Sequence, residues 1–327
     1  MGPILVVGAT GHLGGEVAAR LRAAGRPVRA FVRKSSDSER LKEIGAELAL
    51  GDLRDEQSVA EACRGASAVI ATANSVVPRV RGDTYRNVEG EGYRRLLKSS
   101  FQHGIGRFVM ISVATVPQEH KVPNFHYRRV IEQEIVASGL EYTIVQATPF
   151  MDVWLSLIGS AIPVRGTRGQ VGAKRPFWVA QGVVKTYGTW IEDRGLAVIP
   201  GNGKTRHSFV AVDDVASLLV AVVTDRRAAN QVYQFGGPEE LSWDEVVATY
   251  ARVLKRPVRA IHVPASLYRL GCWLAKPLSE EVANTMGASW IHASSPCVCE
   301  SSQLARDFGV TQTTVEEFLS RKAQLAA

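Results

Sequence analysis

Through the first half of the chain, short runs of consecutive apolar residues alternate with longer stretches in which apolar positions recur every three or four residues. The short runs, at residues 4–7, 28–32, 47–50, 68–72, 107–111 and 142–146, are β-branched or otherwise apolar and too brief for helices, so they are read as strands. The periodic stretches between them are read as helices. Strand, helix and strand repeated this often predict parallel pairing, because each helix returns the chain to the same sheet edge before the next strand begins. The expected fold class is therefore α/β, with a doubly wound parallel sheet. Gly25 and Gly65 stand where helices must end before the second and fourth strands.

After Pro149 the rhythm changes. Residues 163–188 mix Gly166, Gly169, Gly172 and Gly182 with Arg165, Arg168, Lys174 and Arg175, and read as a basic loop, either a lid over a ligand or a solvated excursion. Strands are expected at 196–199, 207–212, 232–235 and 258–263, and helices at 214–224, 242–254 and 313–324. The expected division is a dinucleotide-binding domain over residues 1–150 and a smaller mixed α/β substrate or partner lobe over 151–327, with a segment near 207–225 returning to pack on the sheet.

The end of the first strand supplies the chemistry. Ile4-Leu5-Val6-Val7-Gly8-Ala9-Thr10-Gly11-His12-Leu13-Gly14 runs an apolar strand directly into a turn with glycine at every third position and then into a helix. Gly8 permits a tight turn, Gly11 lets a pyrophosphate approach the backbone, and Gly14 lets the helix pack on the strand. Free N–H groups at the helix start then face the phosphates, where the helix dipole also favours negative charge. Thr10, His12 and Leu13 fall within this turn, and His12 stands where a cofactor phosphate is expected. The sheet is thus read as Rossmann-type.

The second strand decides which dinucleotide. A site for NAD usually offers a carboxylate there to the ribose 2′-hydroxyl, whereas this chain reads Val32-Arg33-Lys34-Ser35, with no acid before Asp37. Arg33 can pair with a 2′-phosphate and Lys34 adds a point charge, so NADP(H) is the expected cofactor. Asp52 and Leu53, after the third strand, suit the adenine, and Ala71, Thr72 and Ala73, at the end of the fourth, place small residues beside the cofactor.

Composition narrows the remaining classes. The 327 residues are 46% hydrophobic, enough for a substantial core, and 39 Lys+Arg against 32 Asp+Glu leave a net charge of +7. That excess suits an anionic partner, and a phosphorylated cofactor meets it. Nucleic acid is not expected, because no helix-turn-helix, zinc-finger or basic-aromatic motif is present to receive it. Four irregularly placed cysteines, Cys63, Cys272, Cys297 and Cys299, give no disulfide framework and point to the cytoplasm. Cys297 and Cys299 with His292 lack zinc spacing, so no metal is expected. The apolar stretch 150–164 carries Asp152 and Pro163, which argues against membrane insertion. With no export signal either, a soluble monomer or homodimer is the expectation.

Several further segments carry a resemblance. The Gly8–Gly14 turn, Gly51-Asp52-Leu53, Arg107-Phe108-Val109-Met110-Ile111-Ser112, Ser138-Gly139-Leu140-Glu141-Tyr142, Ala147-Thr148-Pro149-Phe150, Phe209-Val210-Ala211-Val212-Asp213-Asp214 and Phe308-Gly309-Val310 together resemble the atypical short-chain dehydrogenase/reductase superfamily, in particular its NmrA-like NAD(P)-binding group. The resemblance implies that Thr148, Pro149 and Phe150 also lie beside the cofactor. In catalytic members, a serine after the fifth strand joins a tyrosine and a lysine four residues apart, which a helix sets on one face so that the cation lowers the phenol pKa. Ser112 matches the serine, but Arg128 stands at the lysine position and Asn124 at the tyrosine position. Arg128 can hold a nicotinamide ribose yet cannot relay protons. Tyr127 lies next door, with Ile131 four residues on, and Gln146 replaces an arginine that often follows the sixth strand.

Two readings follow. A conjugated acceptor spreads the incoming charge and is protonated by water afterwards, so the missing acid suits an NADPH-dependent reductase of a small, flat, conjugated or aromatic substrate. Ser112 then positions the acceptor oxygen, Tyr127 and Arg128 complete the catalytic set, and Phe150, Trp154, Phe177 and Trp178 form an apolar wall. The alternative is a non-catalytic NADP(H)-sensing regulator or assembly factor. Sugar-nucleotide epimerisation is the weaker third, because it leans on the tyrosine and lysine that this sequence lacks.

Overall fold

The structure is a computed structural model in which residues 2–76, 78, 80, 82–167 and 187–325 are described. Seven strands form one parallel sheet in the order β3-β2-β1-β4-β5-β6-β9. They are β1 (Ile4–Val7), β2 (Val28–Val32), β3 (Glu47–Leu50), β4 (Ala68–Ala71), β5 (Arg107–Val113), β6 (Tyr142–Ala147) and β9 (Gln231–Phe235). The order reverses between β1 and β4, so the loops after these two strands diverge and leave a crevice at their carboxyl ends. Val7 pairs with both Phe31 and Ala71, and Ser112 with Gln146, which brings the ends of β1, β2, β4, β5 and β6 to one edge of the sheet.

Strand alternation divides the core into two layers. Ile4 and Val6 pack on one face with Val17 and Leu21 of helix His12–Ala23 and with Val215 and Leu219 of helix Val212–Val222. Leu5 and Val7 pack on the other with Tyr93 and Leu96 of helix Tyr93–Gln102 and with Ile131 and Ile135 of helix Pro123–Ala137. A third cluster, with Met151, Leu155, Phe209, Trp243, Tyr250 and Phe318 at its centre, lies in the C-terminal part, and a fourth joins Trp290, Ile291 and Cys297 to Val122 and Phe125. Around the third lie two small sheets, β7 (Leu196–Pro200) with β11 (Arg259–Val263) and β8 (Arg206–His207) with β10 (Leu241–Ser242).

The chain after residue 207 differs from the sequence reading. No strand runs over 207–212: β8 ends at His207 and a helix begins at Val212, its first-turn N–H capped by the Asp152 carboxylate at 3.1 Å. That helix covers the first sheet layer, and β9 then extends the sheet beside β6. Two helices, Ala265–Ala275 and Glu280–Ser294, occupy a region for which periodicity suggested no element. Most of the basic loop, together with Phe177 and Trp178, lies outside the described residues.

Candidate active site

At the switch point the glycine turn is closed by a Gly11 N–H to Gly8 carbonyl bond of 2.9 Å, with Gly8 at φ +90°. A Cβ on Gly14 would stand 2.3 Å from the Gly8 oxygen, so only glycine lets the helix pack this close. Gly11 caps helix His12–Ala23 without any side-chain bond, whereas Asp55 caps helix Glu56–Cys63 by accepting from Gln57 and Ser58. The first-turn donors of the phosphate-turn helix are therefore available to an anion. Gly8, Thr10, Gly11, His12, Leu13 and Gly14 all line a cleft of about 400 Å³. His12 also reaches across it, its Nε2 lying 3.1 Å from Asp152 Oδ1 at the start of the C-terminal part.

Beside this turn, Arg33 lines the cleft at the end of β2, but its charge is already met: Nη1 donates to Asp83 at 2.8 Å and Nε lies 3.3 Å from Asp52. Arg54 adds a second guanidinium, 2.8 Å from Asp52 and 3.8 Å from Asp83. Burial raises the Asp52 pKa, but the hydrogen bonds from Arg54 and the charges of both arginines outweigh it and hold the carboxyl below its ordinary value. Two cations and two carboxylates thus form a neutral quartet where the sequence suggested a plain basic site. Lys34 is exposed and does not line the cleft. Asp52 and Leu53 line it, as do Thr72 and Ala73, while Ala71 stays buried within β4. The Thr72 hydroxyl donates to the Val7 carbonyl at 3.0 Å, tying the two strands at the crevice.

At the other end Ser112, Asn124 and Arg128 come together. Helix Pro123–Ala137 starts at proline, which fixes its first turn, and its i, i+4 spacing sets Asn124 and Arg128 on one buried face. Arg128 donates to the carbonyls of Ala73 (2.9 Å) and Ile111 (3.1 Å) and to the Tyr93 hydroxyl (3.3 Å). Glu89 lies 3.9 Å away on a π-helical turn, Arg86–Gly92, held by the Ser75 N–H and hydroxyl. Burial pushes the Glu89 carboxyl above its ordinary pKa, with Arg128 and Ser75 pulling against it. Arg128 is therefore a fixed cation joining the ends of β4 and β5. Tyr127 is half-buried, packs near Gly90, and does not line the cleft. Gln146 also turns away, donating to Glu132 at 2.8 Å.

Away from the glycine turn, where His12 Nδ1 is likewise unpartnered, three polar atoms in the cleft wall, Ser112 Oγ, Asn124 Oδ1 and His292 Nδ1, are buried with no hydrogen-bond partner among the described residues. Buried polar atoms are seldom left so, and three around one cavity mark where a polar ligand makes its contacts. Burial holds His292 well below the ordinary histidine pKa, with nearby His207 adding to the effect, so the imidazole is neutral near pH 7. Thr148, Pro149, Phe150 and Trp154 complete an apolar wall, Trp154 meeting the His292 ring edge-on at 4.3 Å. Glu281, Asn284 and Thr285, from helix Glu280–Ser294, face the cleft from the C-terminal part. Asp83, Glu89 and Asn284 carry no signal in the sequence, and His292 stands out there only beside Cys297 and Cys299 as a metal-ligand candidate, since only tertiary folding brings these residues here.

The description of the NmrA-like family matches residues 2–319. The chain belongs to the NmrA-like family. Among its relatives, the NAD(P)H azoreductase of Xenophilus azovorans is 26% identical over 261 residues, covering 80% of this chain and 77% of that protein. A photosystem II assembly factor of Trieres chinensis is 23% identical over 267 residues, covering 82% and 74%. Among solved structures, an NADPH-dependent quinone oxidoreductase from Escherichia coli, complexed with NADPH, superposes with a TM-score of 0.70 at 17% identity, covering 97% of this NmrA-like chain and 99% of that one. At that identity the likeness shows the fold, which is the Rossmann-like α/β sheet of NAD(P)-binding reductases.

Proposed function

We propose that this NmrA-like chain is an NADPH-dependent reductase that passes hydride to a small, hydrophobic, conjugated acceptor of quinone or enone type. The observation that carries this reading is the unpartnered Ser112 hydroxyl in a mainly apolar cleft that also holds the glycine turn. Residues 1–150 bind the cofactor and 151–327 contribute the outer wall for the acceptor. When bound, the dinucleotide supplies the hydride. The turn N–H groups would hold its diphosphate, Arg33 and Arg54 would meet the 2′-phosphate, and Arg128 would keep a positive charge at the other end of the cleft. Ser112 donates a hydrogen bond to the acceptor oxygen, and Phe150 and Trp154 keep water from the face that is reduced. A conjugated acceptor delocalises the negative charge, so water delivers the proton later and no tyrosine is required.

The test is NADPH consumption against a panel of quinones and enones, beside calorimetric cofactor binding. Saturable turnover with at least one acceptor supports the proposal; binding without turnover across the panel removes it. A second reading, an NADP(H)-responsive regulator, is favoured by Arg128, which donates to two backbone carbonyls and to Tyr93. The assembly-factor relative points the same way. Binding without turnover is the outcome this second reading expects.

A further inference from the structure

Outside the cleft, the most exposed apolar feature among the described residues is helix Ala265–Ala275 and the turn after it. Its inner side packs on helix Glu280–Ser294, where a Cβ on Gly271 would meet Met286 Sδ at 3.3 Å and Cys272 is buried. Its outer side carries Leu267, Leu270, Trp273 and Leu274, followed by Leu278, with exposures from 51% to 86%. At 3.6 residues per turn the four helical residues fall in one stripe about 120° wide, with Arg269 and Lys276 along one edge. Scattered surface leucines are ordinary, but a contiguous stripe with an exposed tryptophan marks an interaction surface.

The charge along the segment that carries the stripe selects its partner. Residues 255–279 contain no Asp or Glu, yet they include Lys255, Arg256, Arg259, Arg269 and Lys276. Lys255, Arg259, Arg269 and Lys276 are exposed, and none forms an ion pair among the described residues. A second copy docked about a twofold axis would set these cations against themselves. We infer that this face adsorbs to an anionic lipid bilayer, the leucines and Trp273 entering the boundary between headgroups and acyl chains and the cations meeting lipid phosphates. The contact is interfacial: 11 residues rise only about 16 Å, half a hydrocarbon core of ~30 Å. Helix Glu280–Ser294, which backs this face, also contributes Asn284, Thr285 and His292 to the cleft, so docking brings the cleft to the lipid surface. The inference needs only the exposed face and stands apart from the reductase reading.

Flotation of the full chain with phosphatidylcholine vesicles, with and without phosphatidylglycerol, tests it. The chain floats with the anionic vesicles, less so as salt rises. Leu270→Ser with Trp273→Ser, or Arg269→Glu with Lys276→Glu, each lowers the bound fraction at least about tenfold, given the transfer cost of one large apolar side chain and the attraction per cation. All four positions are exposed, and circular dichroism checks that the variants fold. Failure of the wild-type chain to float overturns the inference, as does flotation of the serine variant at wild-type level. Without flotation, a dimer that the serine variant dissociates assigns the face to a second copy, and binding to polyglutamate assigns it to an acidic protein.

Discussion

The two ends of the cleft are built from different materials. The glycine-turn end is backbone: three glycines and a helix mouth without a side-chain cap, all within Gly8–Gly14. The distal end is side chain: Ser112 from one strand, Asn124 and Arg128 from a helix, Glu89 from a π-helical turn and His292 from the C-terminal part. A backbone cradle tolerates almost any residue except one that fills its space, and it holds a ligand shared by many reactions. A side-chain end sets which reaction, if any, follows, and a single replacement there changes chemistry without touching binding.

The sharpest way to break this contrast is to fill the cradle. In Gly14→Ala the added methyl meets the Gly8 carbonyl at 2.3 Å. Dinucleotide affinity is expected to fall about 100-fold, from an overpacking cost of about 1–3 kcal/mol, with calorimetry reading the loss and thermal melting showing the fold retained. At the distal end Arg128→Met leaves Glu89 buried without its cation, which costs about 3–5 kcal/mol of stability in denaturant titration. The sign of its pH dependence follows from the raised Glu89 pKa: a carboxyl whose folded pKa exceeds its unfolded one stabilises below the unfolded value and loses that contribution as pH rises through the folded value. The deficit of Arg128→Met therefore shrinks on acidification, and adding Glu89→Gln removes most of it near neutral pH.

Ser112→Ala separates the ends kinetically. Turnover of a conjugated acceptor falls about tenfold, the value of one neutral hydrogen bond, while NADPH affinity stays as in the wild type. The smallest effect is expected where the ends of β2 and β3 meet. Asp83→Asn leaves Arg33 and Arg54 facing only Asp52, so NADPH affinity rises about fivefold with NADH affinity unchanged, the scale of one part-exposed ion pair. Equal gains for both nucleotides would place the Asp83 contact away from the 2′-phosphate.

These differences track what a sequence can carry. The glycine turn is contiguous, with a strand before and a helix after, so local rules suffice to place every residue in it. Ser112 and Thr148-Pro149-Phe150 are legible for the same reason, each sitting at the carboxyl end of a strand. Arg33 was read from its strand alone, and the acid that balances it stands 50 residues later in the chain. No periodicity announces that meeting. Glu89, in the run Val88-Glu89-Gly90-Glu91-Gly92, looks like a surface residue until the π-helical turn directs it inward. Asn284 accepts from the Asn124 N–H 160 residues earlier in the chain, and the leucine-rich helix before it has its large residues facing outward, which obscures a period that ordinarily signals a core face.

Calorimetric titration of NADPH into the wild-type chain and into Gly14→Ala tests the central claim most directly. The account predicts saturable one-to-one heat for the wild type and none at the same concentrations for the variant. Absence of heat in both proteins, or equal heat in both, would contradict it.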